Sequence, residues 1–364
     1  MKDFDKNKPY NTLSNLPPKV NLETVEILKA SIEANKILAE LKGYCQTLPN
    51  PNLLLNTLVL QESKESSAIE NIVTTQDELY QETLRISENI KNAAAKEVIQ
   101  YREAMYWGLE QMQKNGLITT NLLVGIMQRL RATNENIRNT PGTKLANPSN
   151  LHIVYTPPEG DQIIREKLKE LEQFMNDDEF SDLDTLIKMA LIHYQFEAIH
   201  PFSDGNGRTG RILNVLYLIN QNLIGLPVLY LSHYIIQNKS DYYRLLREVT
   251  EKKNWKDWVL FIVKGVGETA TLTLQKINAI LKLKAVSEEK IKKALKASYS
   301  RELCDLLYSY PYIKIKILEE YNIAKRQTAS DYLKKLEKIG LLEAVKMGKE
   351  TYYINKDLMN ILTK

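Results

Sequence analysis

The sequence predicts a mainly α-helical fold: a helical core carrying a short β-hairpin flap, followed by a smaller winged-helix module. Three observations predict it. Glycine is scarce, 14 of 364 residues against an average of roughly 7%, so tight turns are few. Apolar residues recur three and four apart through most of the chain, the period of a helix with one buried face. From Ile313 onward the pattern changes to two short helices and two strands.

The elements follow in order. Residues 1–20, with Pro9, Pro17 and Pro18, read as an extended arm. Val25, Leu28, Ile32, Ile37, Leu38 and Leu41 mark a long amphipathic helix, ended by Pro49 and Pro51. A second helical run begins near Asn52 and is expected to stop around residues 63–66. Thr75 and Glu78 have the spacing of a capping box. Helices are expected over 93–114, 119–131 and 162–176. Between the last two, residues 138–158 hold four prolines and the β-favouring run His152-Ile153-Val154-Tyr155-Thr156, read as a hairpin or flap. Residues 184–199, 208–222 and 241–285 are helical again. Residues 313–321 and 324–339 then form a helix-turn-helix, and 341–355 a hairpin turning at Lys346-Met347-Gly348-Lys349. The expected division is an N-terminal helical region over 1–110, a core over 111–285 and a winged-helix domain over 287–364.

Composition excludes several classes. Hydrophobic residues at 43% and charged residues at 26% exclude global disorder. Cys45 and Cys304 are too few for a disulfide framework or a four-cysteine zinc site. The polar N-terminus has no apolar signal region, and the most apolar window, 212–231, is broken by Asn214, Asn220, Gln221, Asn222 and Pro227. A soluble, cytoplasmic protein without a membrane partner is expected. The net charge of +4 is concentrated: residues 287–364 carry +5 and the rest −1. There is no GxxxxGK[ST] loop.

Three of the scarce glycines fall within the run His200-Pro201-Phe202-Ser203-Asp204-Gly205-Asn206-Gly207-Arg208-Thr209-Gly210-Arg211, between two apolar helices. A Gly-Asn-Gly turn opening a helix aims backbone N–H groups and the positive end of the helix dipole at one point, which suits phosphate. Arg208 and Arg211 lie three apart and can add charge-assisted hydrogen bonds on one face. Asp204 offers a hard oxygen to a Mg²⁺ ion bridging to phosphate. His200 has the intrinsic pKa to accept a hydroxyl proton. Phe202 reads as an apolar anchor. His152, His193 and His233 show no ligand spacing and read as packed or surface residues.

The twelve residues match HPFxDGNGRxxR at every fixed position, the signature of the Fic domain family, which the chain resembles more weakly over residues 52–276. The resemblance implies an all-helical core that transfers AMP from ATP to a hydroxyl of a target protein. His200 would be the general base, Asp204 the Mg²⁺ ligand, and Gly205, Asn206, Gly207, Arg208, Thr209, Gly210 and Arg211 the ATP phosphate cradle. Ile153, Val154, Tyr155 and Thr156 would pair with the target segment as an added strand. Tyr242 and Tyr243 match a tyrosine pair lining the nucleotide pocket in relatives, although taken alone the pair reads first as core packing. The run Ser66-Ser67-Ala68-Ile69-Glu70-Asn71 matches the family's inhibitory motif [S/T]xxxE[G/N], in which Ser66, Glu70 and Asn71 occupy the fixed positions. Glu70 would pair with Arg211 in the space that the γ-phosphate needs. Gly207 argues against relatives that act as kinases, where lysine replaces this glycine. Transfer of another phosphate-containing group and removal of AMP remain alternatives. So does a DNA-binding regulator, with Gln327, Thr328 and Ser330 beside Lys325 and Arg326 on the second helix of the helix-turn-helix. Self-modification and a homodimer also stay open.

Overall fold

Long helices form wherever apolar residues keep the helical period, and their ends carry identifiable caps. The computed structural model describes residues 4–46, 48, 51–83, 92–147, 150–347 and 350–363. Pro49, Pro148, Gly348 and Lys349, all read as turn residues, lie outside them. The first helices are α1 (Val25–Gln46), α2 (Asn52–Ile69), α3 (Gln76–Thr83), α4 (Ala93–Asn115) and α5 (Thr120–Arg131). The side chains of Asn92 and Thr119 accept hydrogen bonds from Ala95 N and Leu122 N, capping α4 and α5. At the other end of α4, Gly116 takes the left-handed conformation, φ 73°. The Thr75–Glu78 capping box forms: Glu78 N bonds Thr75 Oγ1 at 3.2 Å, and Thr75 N bonds Glu78 Oε2 at 2.9 Å.

The helix α2 continues past the expected stop at residues 63–66. Ser63 bonds back to the Val59 carbonyl at 2.7 Å and is fully buried, so its hydroxyl does not compete with the helix. Ser66 and Ser67 are buried too. Tertiary burial overrides the polar composition here.

The flap is a two-stranded antiparallel ribbon, β1 (Leu145–Ala146) with β2 (Ile153–Tyr155). After it come α6 (Asp161–Asn176), α7 (Thr185–Ile199) and α8 (Asn206–Asn220). The carboxylate of Asp184 caps α7, accepting from Leu186 N at 2.9 Å. Almost every residue of α7 is buried, which makes it the axis of the core. Next are α9 (Leu231–Gln237), α10 (Lys239–Lys252) and the 41-residue α11 (Trp255–Leu295), which packs along α1 and runs unbroken through residue 286.

The last elements are α12 (Arg301–Ser309), β3 (Tyr312–Ile313), α13 (Ile315–Glu320), α14 (Arg326–Lys338), β4 (Glu343–Met347), β5 (Glu350–Ile354) and α15 (Lys356–Thr363). Their sheet is antiparallel in the order β3-β5-β4. It meets the core where Tyr80 stacks on Tyr312, ring centroids 5.6 Å apart.

Candidate active site

The buried helix α7 delivers His200 to a sharp turn. His200 has φ 50°, a left-handed conformation that costs a β-carbon-bearing residue energy and therefore needs support. Arg138 supplies it. Its Nε donates to the His200 carbonyl at 2.7 Å, and its Nη2 donates to the carbonyls of Pro158 and Ile199. Tyr155 Oη donates to the Ala198 carbonyl at 2.8 Å. Burial pushes the His200 imidazole down to about 4, and the Arg138 charge pushes the same way. At neutral pH the ring is uncharged and able to accept a proton.

The loop after it is stapled by Asn206, whose side chain accepts from Phe202 N at 2.9 Å and donates to the Phe202 carbonyl at 2.8 Å. Phe202 is the buried anchor that the sequence suggested. Gly205, at φ 81°, occupies the position preceding α8. The first helical bond of α8 runs from Thr209 N to the Gly205 carbonyl at 2.9 Å. The amides of Asn206, Gly207 and Arg208 therefore have no partner within the helix. Gly205 N differs: it donates to Asp204 Oδ1 at 2.6 Å. Asp204 is half exposed and also meets Arg131 at 2.9 Å. A β-carbon at Gly210 would lie 2.9 Å from Glu197 Oε1 and 3.1 Å from the Phe196 ring, so this glycine sets how closely α8 approaches α7.

Both arginines of α8 are buried, and α2 meets them. Ser66 and Glu70 lie one turn apart on one face of α2. Arg211 Nε donates to Ser66 Oγ at 2.7 Å, and its Nη2 donates to the Ser66 carbonyl at 2.9 Å and to Glu70 Oε1 at 2.8 Å. Arg208 Nε donates to the other carboxylate oxygen of Glu70 at 2.7 Å. Glu70 thus bridges two arginines. Burial works against the Arg211 charge, and Glu70 together with Tyr242, Tyr101 and Glu197 more than offsets it, holding the guanidinium above its usual range. A β-carbon at Gly207 would stand 2.6 Å from Glu70 Oε1, so a glycine is what lets the carboxylate sit over the start of α8. Asn71 has φ 65°, which explains why a glycine or asparagine suits that position. Its Oδ1 accepts from Lys239 Nζ at 3.1 Å.

Tyr242 is buried, with its hydroxyl 2.9 Å from His193 Nε2, and His193 lies flat against Trp258 at 5.9 Å. Tyr243 packs edge-on against Tyr242 and is 45% exposed. In the flap, Ile153 and Val154 are half buried while Tyr155 and Thr156 are buried. The N-terminal arm covers them: Thr156 Oγ1 donates to the Lys6 carbonyl at 2.6 Å, Tyr10 N donates to the Thr156 carbonyl at 3.0 Å, and Phe4 stacks on Tyr155.

Two residues that hold the candidate site together escaped the sequence reading. Arg138 holds the His200 turn, and Glu97 on α4 accepts from Arg208 Nη1 at 2.7 Å. Neither sits in a motif. Arg138 entered the sequence reading only as the first position of the flap stretch, 138–158.

The fold and site define a helical protein whose glycine-rich loop and helix start are closed over by a carboxylate from a neighbouring helix. Three family descriptions match in tandem: "Fic/DOC family N-terminal" over residues 28–110, "Fic/DOC family" over 118–218, and "Protein adenylyltransferase SoFic-like, C-terminal domain" over 283–358. The chain belongs to the Fic/DOC family. It is similar to protein adenylyltransferase fic-1 of Caenorhabditis elegans, 29% identical over 107 residues, which are 29% of this chain and 20% of that protein. It is also similar to the probable protein adenylyltransferase aq_aa38 of Aquifex aeolicus, 28% identical over 204 residues, 54% of this chain and 57% of the relative. The matched region thus spans about a fifth of the nematode protein and somewhat over half of the bacterial one. The fold resembles that of a Fic family protein from Desulfovibrio desulfuricans G20 (TM-score 0.59, 18% identity, 93% of this chain and 98% of the other). A C. elegans Fic-1 fragment gives a TM-score of 0.52 at 18% identity, over 69% of this chain and 74% of the fragment. No described helix is long and apolar enough to cross a membrane.

Proposed function

We propose that the protein is an adenylyltransferase that moves AMP from ATP to a hydroxyl of a protein target, held inactive by Glu70. The observation that carries the proposal is the Glu70 carboxylate bridging Arg208 and Arg211 at the start of α8. With Glu70 withdrawn, both guanidiniums and the free amides of Asn206, Gly207 and Arg208 face the same space, an arrangement suited to a polyphosphate. The serine, threonine or tyrosine hydroxyl oxygen of the target attacks the α-phosphorus. The bond to the bridging oxygen breaks, pyrophosphate leaves, and the hydroxyl proton passes to neutral His200. Thr209 and Gly210 shape the helix beneath the phosphates, and Tyr243 offers an exposed ring for the base.

Asp204 is a half-exposed hard-oxygen ligand, and among the described residues no cluster of three or more metal-ligating side chains exists. One carboxylate fits Mg²⁺ held otherwise by phosphates and water, where it would neutralise charge developing on the phosphates. Ile153 and Val154 are the part of the flap open to a target strand, since Tyr155 and Thr156 are covered by the arm.

The domains we propose are 1–110, 111–285 and 287–364, the last a winged helix on the strength of its order α12, β3, α13, α14, β4, β5. Lys325, Arg326, Gln327 and Thr328 are exposed at the start of α14, which favours a second reading for that domain, DNA binding. A salt-sensitive mobility shift of duplex DNA by the full chain would support it. The reduced, buried Cys45 and Cys304 fit a cytoplasmic setting.

Incubating Glu70→Gly protein with α-labelled and γ-labelled ATP in parallel tests the reaction class. Label on protein from the α position alone is expected; label from γ alone would mean a kinase.

A further inference from the structure

How firmly Glu70 holds the two arginines depends on how firmly α2 is seated. Every residue of α2 from Thr57 to Ser63 is buried, and over nearly two turns this means cover on all sides. Thr57, Gln61, Glu62 and Ser63 in that stretch are polar, so the apolar surface of the helix contributes only part of its attachment. The walls contribute the rest. They are α4, α8 and α9 from the core, and α12 and α15 from the C-terminal end of the chain. The helix whose end must give up two arginines is therefore partly walled by elements remote from it in sequence.

Those elements sit on a lever. The helix α11 is buried in the core as far as Ile280; beyond it Lys282, Val286, Glu289 and Lys290 are exposed. The projecting end carries α12–α15: Asp305 of α12 pairs with Lys284, and Tyr308 Oη donates to the Leu283 carbonyl at 3.4 Å. The C-terminal elements then fold back on the inhibitory region. Tyr312 of β3 stacks on Tyr80 of α3, the helix that follows Glu70, with the rings 5.6 Å apart and 15° from parallel. Lys276 Nζ donates to the Leu362 carbonyl of α15 at 3.4 Å. Between α2 and α15 the fit is imperfect: a cavity of about 90 Å³ remains, with Gln61, Glu65, Lys276 and Leu362 among its lining. Gln61 Nε2 and Glu65 Oε2 are buried without a hydrogen-bond partner, and water would satisfy both once the seam opened. Polar, loosely filled seams are where packed units of one chain part.

We propose that α12–α15 brace the inhibitory helix: docked on α2 and α3 they hold Glu70 on Arg208 and Arg211, and their displacement from α2 releases it. The proposal deepens the reading of Glu70 as an inhibitor and rests on it. The element with two positions is α2. Seated, it closes the phosphate site; unseated, it leaves both guanidiniums and the amides of Asn206, Gly207 and Arg208 to ATP. Bending of the exposed stretch of α11 moves the brace without touching the His200 loop, so the chemical groups stay in place while the lock opens. The exposed first turn of α14, Lys325 to Thr328, belongs to the same unit, so a load taken there reaches α2 through α12 and α15.

Hydrogen exchange of the full chain, read by mass spectrometry on peptides covering residues 57–70, tests the brace without ATP. Tyr312→Leu removes the stack on Tyr80, and Lys276→Met removes the bond to Leu362. Each should speed exchange over 57–70 at least tenfold while α7 and α8 keep their wild-type rates. Lys276 lies outside the β3-β5-β4 sheet, so its variant decides the matter if Tyr312→Leu loosens that sheet itself. Self-modification with α-labelled ATP should rise at least tenfold in both variants, and neither change should add to the gain from Glu70→Gly. Exchange at wild-type rates in both variants overturns the proposal. So does faster exchange with no added label while Glu70→Gly labels strongly, or a further gain on top of Glu70→Gly. If Glu70→Gly takes no label, the adenylyltransferase reading fails, and the exchange rates still decide whether the C-terminal elements brace α2.

Discussion

His200 shows how one residue's chemistry depends on neighbours that no motif names. The imidazole was legible because it opens a twelve-residue pattern, but its left-handed turn and its depressed pKa both come from burial and from Arg138, sixty-two positions away. Glu97 was illegible for the same reason: a glutamate on a helix surface says nothing about an arginine that only the fold brings to it. With His200 at about 4, the acid limb of transfer activity in Glu70→Gly protein should lie below pH 5, and Arg138→Gln should move it upward. A limb near 6.5 in the parent would contradict the burial argument. Glu62, buried on α2 against Tyr101 Oη and Ser232 Oγ, is pushed up to about 7 by desolvation. The folded chain thus holds that proton more tightly than the unfolded chain does. Its contribution is complete below about pH 4.5 and is lost as pH rises through 7, on the order of 3 kcal/mol for a shift of this size. Denaturant titrations of wild type and Glu62→Gln from pH 4.5 to 8 should show the wild type losing stability relative to the variant.

At the scale of elements, helical periodicity found most helices to within a few residues, because their apolar faces are continuous and their caps local. The end of α2 was missed because Ser63 and Ser66 look like a stop until the buried Val59 carbonyl and Arg211 satisfy them. Close helix approaches were also invisible, although glycines mark them. A β-carbon at Gly125 on α5 would lie 2.2 Å from the Trp107 ring of α4, under which Arg129 is already stacked at 3.8 Å. Gly125→Ala should therefore destabilise by roughly 1–3 kcal/mol. Gly43→Ala on α1 meets nothing within 4 Å and should stabilise by about 0.4–1 kcal/mol. Thermal melts of the two variants, moving in opposite directions from wild type, check the packing.

For the molecule as a whole, the succession of helical core, flap and helix-turn-helix with hairpin could be read from pattern, while the way these parts close on one another could not. The arm of residues 4–11 reads as loose polar chain, yet it covers Tyr155 and Thr156. The pairing of Glu70 with Arg211 was anticipated from the motif; its second grip on Arg208, and the Ser66 bonds beside it, needed α2 laid against α8. That contact carries the central proposal: a nucleotide site that is complete but closed by its own chain. The direct test is self-modification with α-labelled ATP by wild type, Glu70→Gly and the double variant Glu70→Gly/His200→Ala, each checked for folding by circular dichroism. Closure by Glu70 predicts faint label on wild type, a gain on the order of 100-fold in Glu70→Gly as phosphate alignment is restored, and none in the double variant. A folded Glu70→Gly protein no more active than wild type, or a double variant as active as the single one, would contradict it.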